Sequence, residues 1–199
     1  MNHLISSKQL NLGYGNQIVI TNLNLEIDIA KNYFVIGKNG AGKSTLLNFL
    51  SNNFEGNIFN SNFELNSKVS ILETGVEQNL INELTLKENF EFFTNGIFNL
   101  NIHNNIVEKY KLNHFLNDRY SIFSSGMKKR SELVLIEINE PDFLCIDEPL
   151  NFLDTEGVKL LKELLIKRTN NKKGNLIASQ QLLDIFNDDF KVINLDEIQ

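Results

Sequence analysis

The sequence has a single cysteine among its 199 residues, and it contains no long uninterrupted apolar segment. Because Cys145 has no second cysteine to pair with, an intrachain disulfide is excluded, and its place in the apolar run Phe143–Ile146 favours a buried thiol in a reducing compartment. No segment approaches the ~18 consecutive apolar residues that a membrane span needs. The N-terminal residues also lack the basic and apolar pattern of a secretory signal, so we expect a soluble chain.

Positive charge is scarce as well. The formal net charge is -6 and the isoelectric point is near 5.1. The basic clusters Lys128–Arg130 and Lys172–Lys173 are short, and such clusters usually lie on a solvated helix face or loop. We therefore expect no nucleic-acid partner, because neutralising phosphates needs clustered Lys and Arg. A hydrophobic share of 42% predicts one core, or one core with a smaller subdomain, and we find no internal repeat, linker or low-complexity tail.

One octapeptide has the pattern Gly, four free positions, Gly, Lys and Ser, which is typical of loops that cradle phosphate groups. Its residues are Gly37, Lys38, Asn39, Gly40, Ala41, Gly42, Lys43 and Ser44. Glycines let the backbone wrap around phosphate oxygens with its N–H groups pointing inward. Lys43 then supplies charge to the outer phosphates, and Ser44 can place its hydroxyl on a magnesium ion. We assign the loop and Thr45 to nucleotide binding.

The surroundings of this loop fit the assignment. The apolar run Tyr33–Ile36 immediately before it predicts a buried strand, and Thr45–Leu50 predicts a helix whose positive dipole end faces the same anions. Before that strand, residues 4–29 alternate between apolar and polar with a turn at Gly13–Asn16, which predicts two antiparallel strands. An Asn-rich region after the helix predicts turns, and Lys68–Leu72 predicts a further short strand.

The second half of the chain alternates between helices and strands. A capping box between Thr85 and Glu88 predicts the start of a helical insertion. Later segments predict three strands and, between the first two of them, the amphipathic helix Thr155–Arg168. The three strands are Phe143–Ile146, Leu176–Ala178 and Lys191–Leu195. Such alternation predicts an α/β protein with a largely parallel, covered sheet.

Two carboxylates, Asp147 and Glu148, follow the predicted strand Phe143–Ile146. A strand of an α/β sheet delivers its last residues to the ligand crevice at the carboxyl edge. There Ser44 and Asp147 could hold Mg²⁺, while Glu148 acts as a catalytic general base or orients water. Together with the phosphate loop, this pair predicts a nucleoside triphosphatase.

Between these motifs lies Phe123–Arg130, directly before an apolar helix. Here the chain resembles the ATP-binding cassette (ABC) family, whose signature is Leu-Ser-Gly-Gly-Gln followed by polar and basic residues. The order of phosphate loop, signature and Asp-Glu-Pro also matches that family, and Glu148–Asp154 is similar to its D-loop. The resemblance covers nearly the whole chain.

The resemblance implies a P-loop NTPase fold: a mostly parallel sheet core, an N-terminal antiparallel β subdomain and an inserted helical subdomain. It implies one ABC ATPase domain over residues 1–199. Residues 1–76 and 137–199 would form the nucleotide-binding core, and residues from about 77 to 136 the helical subdomain that carries the signature. Tyr14 is similar to the aromatic residue that stacks on adenine in the family.

In the family, the signature of one subunit covers ATP held by the phosphate loop of another. The resemblance therefore implies a head-to-tail pair, as homodimer or heterodimer, in which Ser124, Ser125 and Gly126 reach the partner's ATP with a hydroxyl, backbone N–H groups and a helix end. It implies an ATP-hydrolysing transporter subunit that works with separate transmembrane permease subunits. Such a subunit is cytoplasmic and peripheral on the inner face of the cell membrane.

The sequence departs from the family pattern at three places that bear on the chemistry of the site. Ser125 replaces the first signature Gly and Met127 replaces its Gln, but Ser124 and Gly126 are kept, so we expect the γ-phosphate contact to be retained with altered geometry. Gln180 stands where the family usually has a His that contacts the γ-phosphate, so we expect slower hydrolysis, because an amide cannot carry charge. The Gln that links magnesium and water to the partner subunit has three candidates, which are Glu73, Glu77 and Gln78.

Two other functions fit the same motifs. A soluble ABC-type ATPase acting on ribosomes or DNA is one, although the chain shows neither a second cassette nor a coiled coil. The other is a degenerate subunit that senses ATP within an asymmetric pair.

A cluster of phenylalanines in the helical insertion either forms that subdomain's core or contributes to the family's groove for the membrane partner. These are Phe90, Phe92, Phe93 and Phe98.

Overall fold

The computed structural model describes residues 3–74, 80–183 and 190–197. In chain order the strands are β1 (His3–Tyr14), β2 (Gln17–Asp28), β3 (Asn32–Ile36), β4 (Asn57–Ile58), β5 (Asn62–Leu65), β6 (Ile71–Thr74), β7 (Phe143–Asp147), β8 (Gly174–Ser179) and β9 (Phe190–Asn194). The α-helices are α1 (Lys43–Leu50), α2 (Leu86–Phe93), α3 (Leu100–Lys109), α4 (Ser125–Asn139) and α5 (Thr155–Asn170).

Contacts within the chain form two compact units. The first comprises Met1–Gly75, Pro141–Pro149 and Leu165–Gln199, and the second comprises Val76–Glu140 and Leu150–Leu164. The second unit therefore includes Leu150–Leu164, which the division made from the sequence assigns to the core.

The N-terminal strands of the first unit form an antiparallel sheet. β1 and β2 pair along their length, as the alternation of apolar and polar residues predicts. β4 and β5 also pair with β1 in antiparallel fashion. The sequence predicts turns in this Asn-rich region but does not indicate these two short strands, whose backbone groups pair with those of β1.

The second sheet of this unit is wholly parallel among the described strands, in the order β6-β7-β8-β3-β9, as the alternation of strands and helices predicts. β6 begins at Ile71 rather than at Lys68. The predicted start is wrong because Asn66 closes a turn there: its Oδ1 accepts from the Lys68 backbone N at 3.1 Å, and its carbonyl accepts from the Val69 N at 3.3 Å.

The core of the first unit fixes the position of α1. Leu46, Leu47 and Leu50 of this helix are fully buried in one apolar cluster with Val35 of β3 and Cys145 of β7. Burying each leucine stabilises the fold by about 1.5–3 kcal/mol. Cys145 is a free, buried thiol, as predicted.

The second unit is mainly helical, and the capping box opens α2 as predicted. Thr85 Oγ1 accepts from the Glu88 backbone N at 3.2 Å, and Glu88 Oε2 accepts from the Thr85 N at 2.8 Å. The phenylalanine cluster divides: the rings of Phe90 and Phe98 are buried, with centroids 5.3 Å apart, whereas Phe92 is 61% exposed. Phe93 is exposed as well. In the three described ranges, no helix has both the length and the apolar character needed to cross a membrane.

Candidate functional site

The parallel strands bring several chain segments to one edge of the sheet. Ile36 at the end of β3 aligns with Ser179 of β8 and with Asn194 of β9, and Asp147 of β7 aligns with Ala178. The segments that follow these strands therefore leave the sheet at the same carboxyl edge. In open α/β sheets this edge is where ligands bind.

The phosphate loop needs glycine at two of its positions. Gly40 has a φ of 84° and Gly42 a φ of 97°, a left-handed conformation that glycine adopts without strain. A Cβ atom on Gly42 would also lie 2.7 Å from Ile20 Cγ1. Gly42 precedes α1, and no side chain caps this helix. The first N–H groups of α1 therefore stay available to an anion.

Lys43 is held inside the loop. Its side chain is buried, and its Nζ donates to the Gly37 carbonyl at 2.7 Å and to the Lys38 carbonyl at 3.1 Å. The loop backbone thus holds the Lys43 ammonium group inside the loop, and a cation held there suits an anionic ligand. Of the other residues assigned to nucleotide binding, Lys38, Asn39 and Gly40 are exposed, while Ala41 and Thr45 are buried.

Ser44 and Asp147, which the sequence predicts as magnesium ligands, lie in direct contact. Ser44 Oγ donates to Asp147 Oδ2 at 2.5 Å. A hydroxyl and a carboxylate oxygen are ligand types that Mg²⁺ prefers. The donor set therefore fits the ion, although the two residues are 103 positions apart in the sequence.

Glu148 follows Asp147 in a left-handed conformation, with a φ of 45°. Its backbone N donates to the Ala178 carbonyl at 2.9 Å, which ties it to β8. Burial raises the pKa of the Glu148 carboxyl, and the Asp147 carboxylate raises it further, while Lys43 and a backbone hydrogen bond from Gln180 lower it. A carboxyl with a raised pKa at the edge of a ligand crevice suits a general base.

Gln180 contacts Glu148 through a hydrogen bond from the Gln180 backbone. The exposed Gln180 follows β8, and the hydrogen bond that it gives Glu148 comes from the main chain, so it does not depend on the side chain at position 180. The side chain's effect on hydrolysis stays a prediction.

Of the three candidates for the Gln that links magnesium to the partner, only Glu73 lies within the described residues. Glu73 on β6 accepts hydrogen bonds from Ser51 Oγ and, at 3.3 Å, from Asn53 Nδ2. Burial raises the pKa of Glu73, those two bonds lower it, and the Asp147 carboxylate raises it. Glu77 and Gln78 lie outside the described residues.

Tyr14, at the end of β1, presents an exposed ring. The ring is 45% exposed and packs edge-on against Phe54, with centroids 5.4 Å apart. A supported aromatic ring with free surface suits stacking on a base. Its contact with adenine stays a prediction.

The signature segment, in the second unit, is the start of α4. Ser124 is the N-cap, and its Oγ accepts from the Met127 backbone N at 3.2 Å. The hydroxyl hydrogen of Ser124 remains able to donate, because only its oxygen is used by the cap. Ser125 and Gly126 form the first turn, and their phosphate contact stays a prediction.

A salt bridge joins this helix to the D-loop within the second unit. Arg130 donates to both carboxylate oxygens of Asp154, at 2.9 and 2.7 Å. Lys129 is buried and pairs with Glu132 at 2.8 Å. The prediction that the basic cluster around these residues is a solvated face is therefore wrong, because Lys129 is buried and the Arg130 side chain is only 13% exposed. Asp154 lies 24 positions beyond Arg130, so local charge patterning could not reveal that pair.

Asp196 makes another contact at the candidate site that the sequence does not reveal. Its carboxylate accepts from the backbone N of Lys38 at 3.1 Å, although the two residues are 158 positions apart. The position of Asp196 directly after the last predicted strand, at the carboxyl edge, is the signal that could have indicated it.

The parallel sheet, the phosphate loop and the Ser44–Asp147 pair define the chain as a P-loop NTPase. A dimeric ATP-binding cassette solved with ADP and phosphate has the same fold, with a TM-score of 0.72 at 20% identity over 89% of this chain and 88% of that chain. The predicted fold class is thereby confirmed.

Sequence comparison identifies the family. Residues 20–151 match the profile of the family described as ABC transporter. SrtF of Streptococcus pyogenes, a lantibiotic transport ATP-binding protein, is 30% identical over 92% of this chain and 82% of its own length. BcrA of Enterococcus faecalis, a bacitracin transport ATP-binding protein, is 28% identical over 92% of this chain, which spans 63% of that relative. The chain belongs to the ABC transporter family.

Proposed function

We propose that this chain is the ATP-binding and ATP-hydrolysing subunit of an ABC transporter and powers substrate movement through separate transmembrane subunits. The contact between Ser44 and Asp147, at 2.5 Å beside the phosphate loop, carries the proposal. Two oxygen atoms of the kind that Mg²⁺ prefers thus lie in contact, on residues that adjoin Lys43 and Glu148 in the sequence. The transport functions named for SrtF and BcrA support the same conclusion.

The residues divide the chemistry among them. The loop N–H groups and Lys43 bind and orient the phosphates of ATP, while Ser44 and Asp147 would hold Mg²⁺, which offsets phosphate charge when bound. Glu148 takes the proton of the attacking water or orients that water. Tyr14 stacks on the adenine. We further propose that two such subunits pair head to tail, each covering the other's ATP with Ser124, Ser125 and Gly126, at the inner face of the membrane.

Two measurements test this function. The purified chain should hydrolyse ATP in a Mg²⁺-dependent manner. A tagged copy expressed in the native host and purified in mild detergent should bring a polytopic membrane protein with it, identified by mass spectrometry. Recovery of ribosomes or of soluble proteins alone would contradict the transporter role and favour a soluble ABC ATPase.

A second candidate is an ATP-sensing subunit of an asymmetric pair, favoured by Gln180, Ser125 and Met127 at positions where the family pattern differs. Glu148→Gln separates the two functions. A hydrolysing subunit would lose about a hundredfold or more of its turnover and accumulate ATP-bound pairs, because general-base catalysis contributes about 10²–10⁴-fold. A sensing subunit would lose nothing.

The variant Gln180→His tests whether the glutamine at position 180, where the family usually has histidine, slows ATP hydrolysis. If the amide limits hydrolysis, the histidine variant should turn over ATP severalfold faster in the presence of the native partner. Equal rates would show that position 180 does not limit hydrolysis, which the backbone contact between Gln180 and Glu148 would explain.

A further inference from the structure

Asp196 is an acidic residue that contacts the phosphate loop directly. It lies in the short 3₁₀ turn Leu195–Glu197 that follows β9. Its Oδ1 and Oδ2 atoms are 3.1 and 3.3 Å from the backbone N of Lys38. The chemistry of the proposed function assigns no task to this carboxylate.

The contact involves a peptide group that also binds Lys43. The carbonyl of Gly37 and the N–H of Lys38 belong to the same peptide group. The carbonyl accepts from Lys43 Nζ at 2.7 Å, while the N–H donates to the Asp196 carboxylate. Hydrogen bonds to charged partners are about twice as strong as neutral ones, and bonds on both sides of a peptide group polarise each other. The orientation of this peptide is therefore set from both sides.

The turn that carries Asp196 is itself held in place. Leu195 is buried in the core of the first unit, and the Asp196 backbone N donates to Asn194 Oδ1 at 3.1 Å. Space around the loop is tight, because a Cβ on Gly37 would lie 2.9 Å from Ala41 Cβ. The Asp196 carboxylate is therefore held at a fixed position against the phosphate loop.

We propose that Asp196 is a positioning residue for the phosphate loop, which holds the Gly37–Lys38 peptide and through it the ammonium of Lys43, and thereby strengthens ATP binding. The proposal rests on the proposed function, because it requires that this loop bind ATP. Asp196 acts through the peptide and does not touch the nucleotide.

A negative charge near phosphates also repels them, so the two effects must be compared. Asp196 is exposed, and solvent and salt screen the long-range effect of an exposed charge. The hydrogen bond to Lys38 is a direct contact and is screened little. We therefore expect the positioning effect to exceed the repulsion.

The test measures the affinity of the purified full chain for ATP and for ADP in the presence of Mg²⁺, by competition with a fluorescent ATP analogue. Asp196→Ala should weaken ATP binding about tenfold, which is about 1.4 kcal/mol, because the loop loses a hydrogen bond to a charged group. Asp196→Asn should stay within about threefold, because its amide oxygen can accept the same N–H. Glu197→Gln, in the same turn, is the matched control and should bind ATP normally.

Two further readouts separate positioning from a general loss of structure. The loss in Asp196→Ala should be smaller for ADP than for ATP, because Lys43 serves the outer phosphates. In a Lys38→Pro background, which lacks the N–H donor, Asp196→Ala should cause no additional loss. Thermal unfolding without nucleotide shows whether each variant is folded.

Equal ATP affinities of the unaltered chain and Asp196→Ala would overturn the inference. Tighter ATP binding by both Asp196→Ala and Asp196→Asn would overturn it too, since repulsion would then dominate. An unaltered chain that binds neither ATP nor ADP would reject the proposed function, and this inference with it. ATP binding by the unaltered chain without an Asp196→Ala effect would reject this inference alone.

Discussion

The phosphate loop and the signature segment are built in different ways. The contacts of the phosphate loop join residues far apart in the sequence: Ser44 meets Asp147 across 103 positions, and Lys38 meets Asp196 across 158. The signature segment is organised locally, because Ser124 caps the helix through Met127, three positions away. The contacts of the phosphate loop therefore require the assembled parallel sheet, whereas the cap of the signature segment is complete within one helix start.

This difference accounts for the two departures from the family pattern in the signature, at Ser125 and Met127. The phosphate loop contains two left-handed glycines and a buried lysine, so few other residues fit its backbone. The first turn of a capped helix accepts many residues once its N-cap is present, and Ser125 and Met127 both lie in that turn. The first turn of α4 can therefore accommodate Ser125 and Met127, whereas the backbone of the phosphate loop restricts which residues fit at Gly40 and Gly42.

The comparison is tested most strongly at Lys43. Lys43→Ala should weaken ATP binding by about a hundredfold or more, because it removes a charge-assisted contact from inside the loop. Lys68→Ala, an exposed lysine of the same unit, is the control. Competition with a fluorescent ATP analogue measures both. Near-normal binding by Lys43→Ala would show that the buried ammonium does not serve the nucleotide.

Gly42 and Gly40 of the loop can be compared by their effects on the free energy of unfolding. Gly42→Ala should lower the free energy of unfolding by about 3 kcal/mol, because backbone strain adds to a clash with Ile20. Gly40→Ala should lower it by only about 1 kcal/mol, because its φ of 84° is similar but no atom lies within 4 Å of its Cβ position. Urea unfolding measures both. Equal losses of unfolding free energy in the two variants would show that the space around the Cβ position of Gly42 does not limit which residues the loop accepts there.

The pH dependence of turnover tests the environment of Glu148. The base acts in its ionised form, and burial together with Asp147 raises its pKa. Turnover should therefore fall on acidification at a pH above the ordinary glutamate value, by about tenfold per pH unit below that pKa. The residual turnover of Glu148→Gln should lack this acid limb. A limb at the ordinary glutamate pKa would contradict the raised value.

The sequence predicts the parts of this protein that have local signatures. The phosphate loop, the Asp147–Glu148 pair and the capping box at Thr85 each follow from short spacing patterns. The strands β4 and β5 escape prediction because they have only two and four residues and lie in an Asn-rich region whose composition indicates turns, and they pair with β1. Asp196 escapes it because its contact with the loop exists only after the sheet has assembled.

Substitution of Ser124 is expected to have the smallest effect on stability. Two variants at this position separate its role as a helix cap from its proposed contact with a partner's ATP. Ser124→Ala should lower the free energy of unfolding by about 1 kcal/mol, because the Met127 N–H loses its cap, whereas Ser124→Asn should restore it, since an amide oxygen can accept that N–H. Ser121→Ala, an exposed serine outside α4, is the control and should change little. If the hydroxyl also serves a partner's ATP, Ser124→Asn should restore stability without restoring ATP-dependent pairing of a Glu148→Gln chain, measured by light scattering. Full recovery of pairing by Ser124→Asn would show that this serine contributes to the site only as a helix cap.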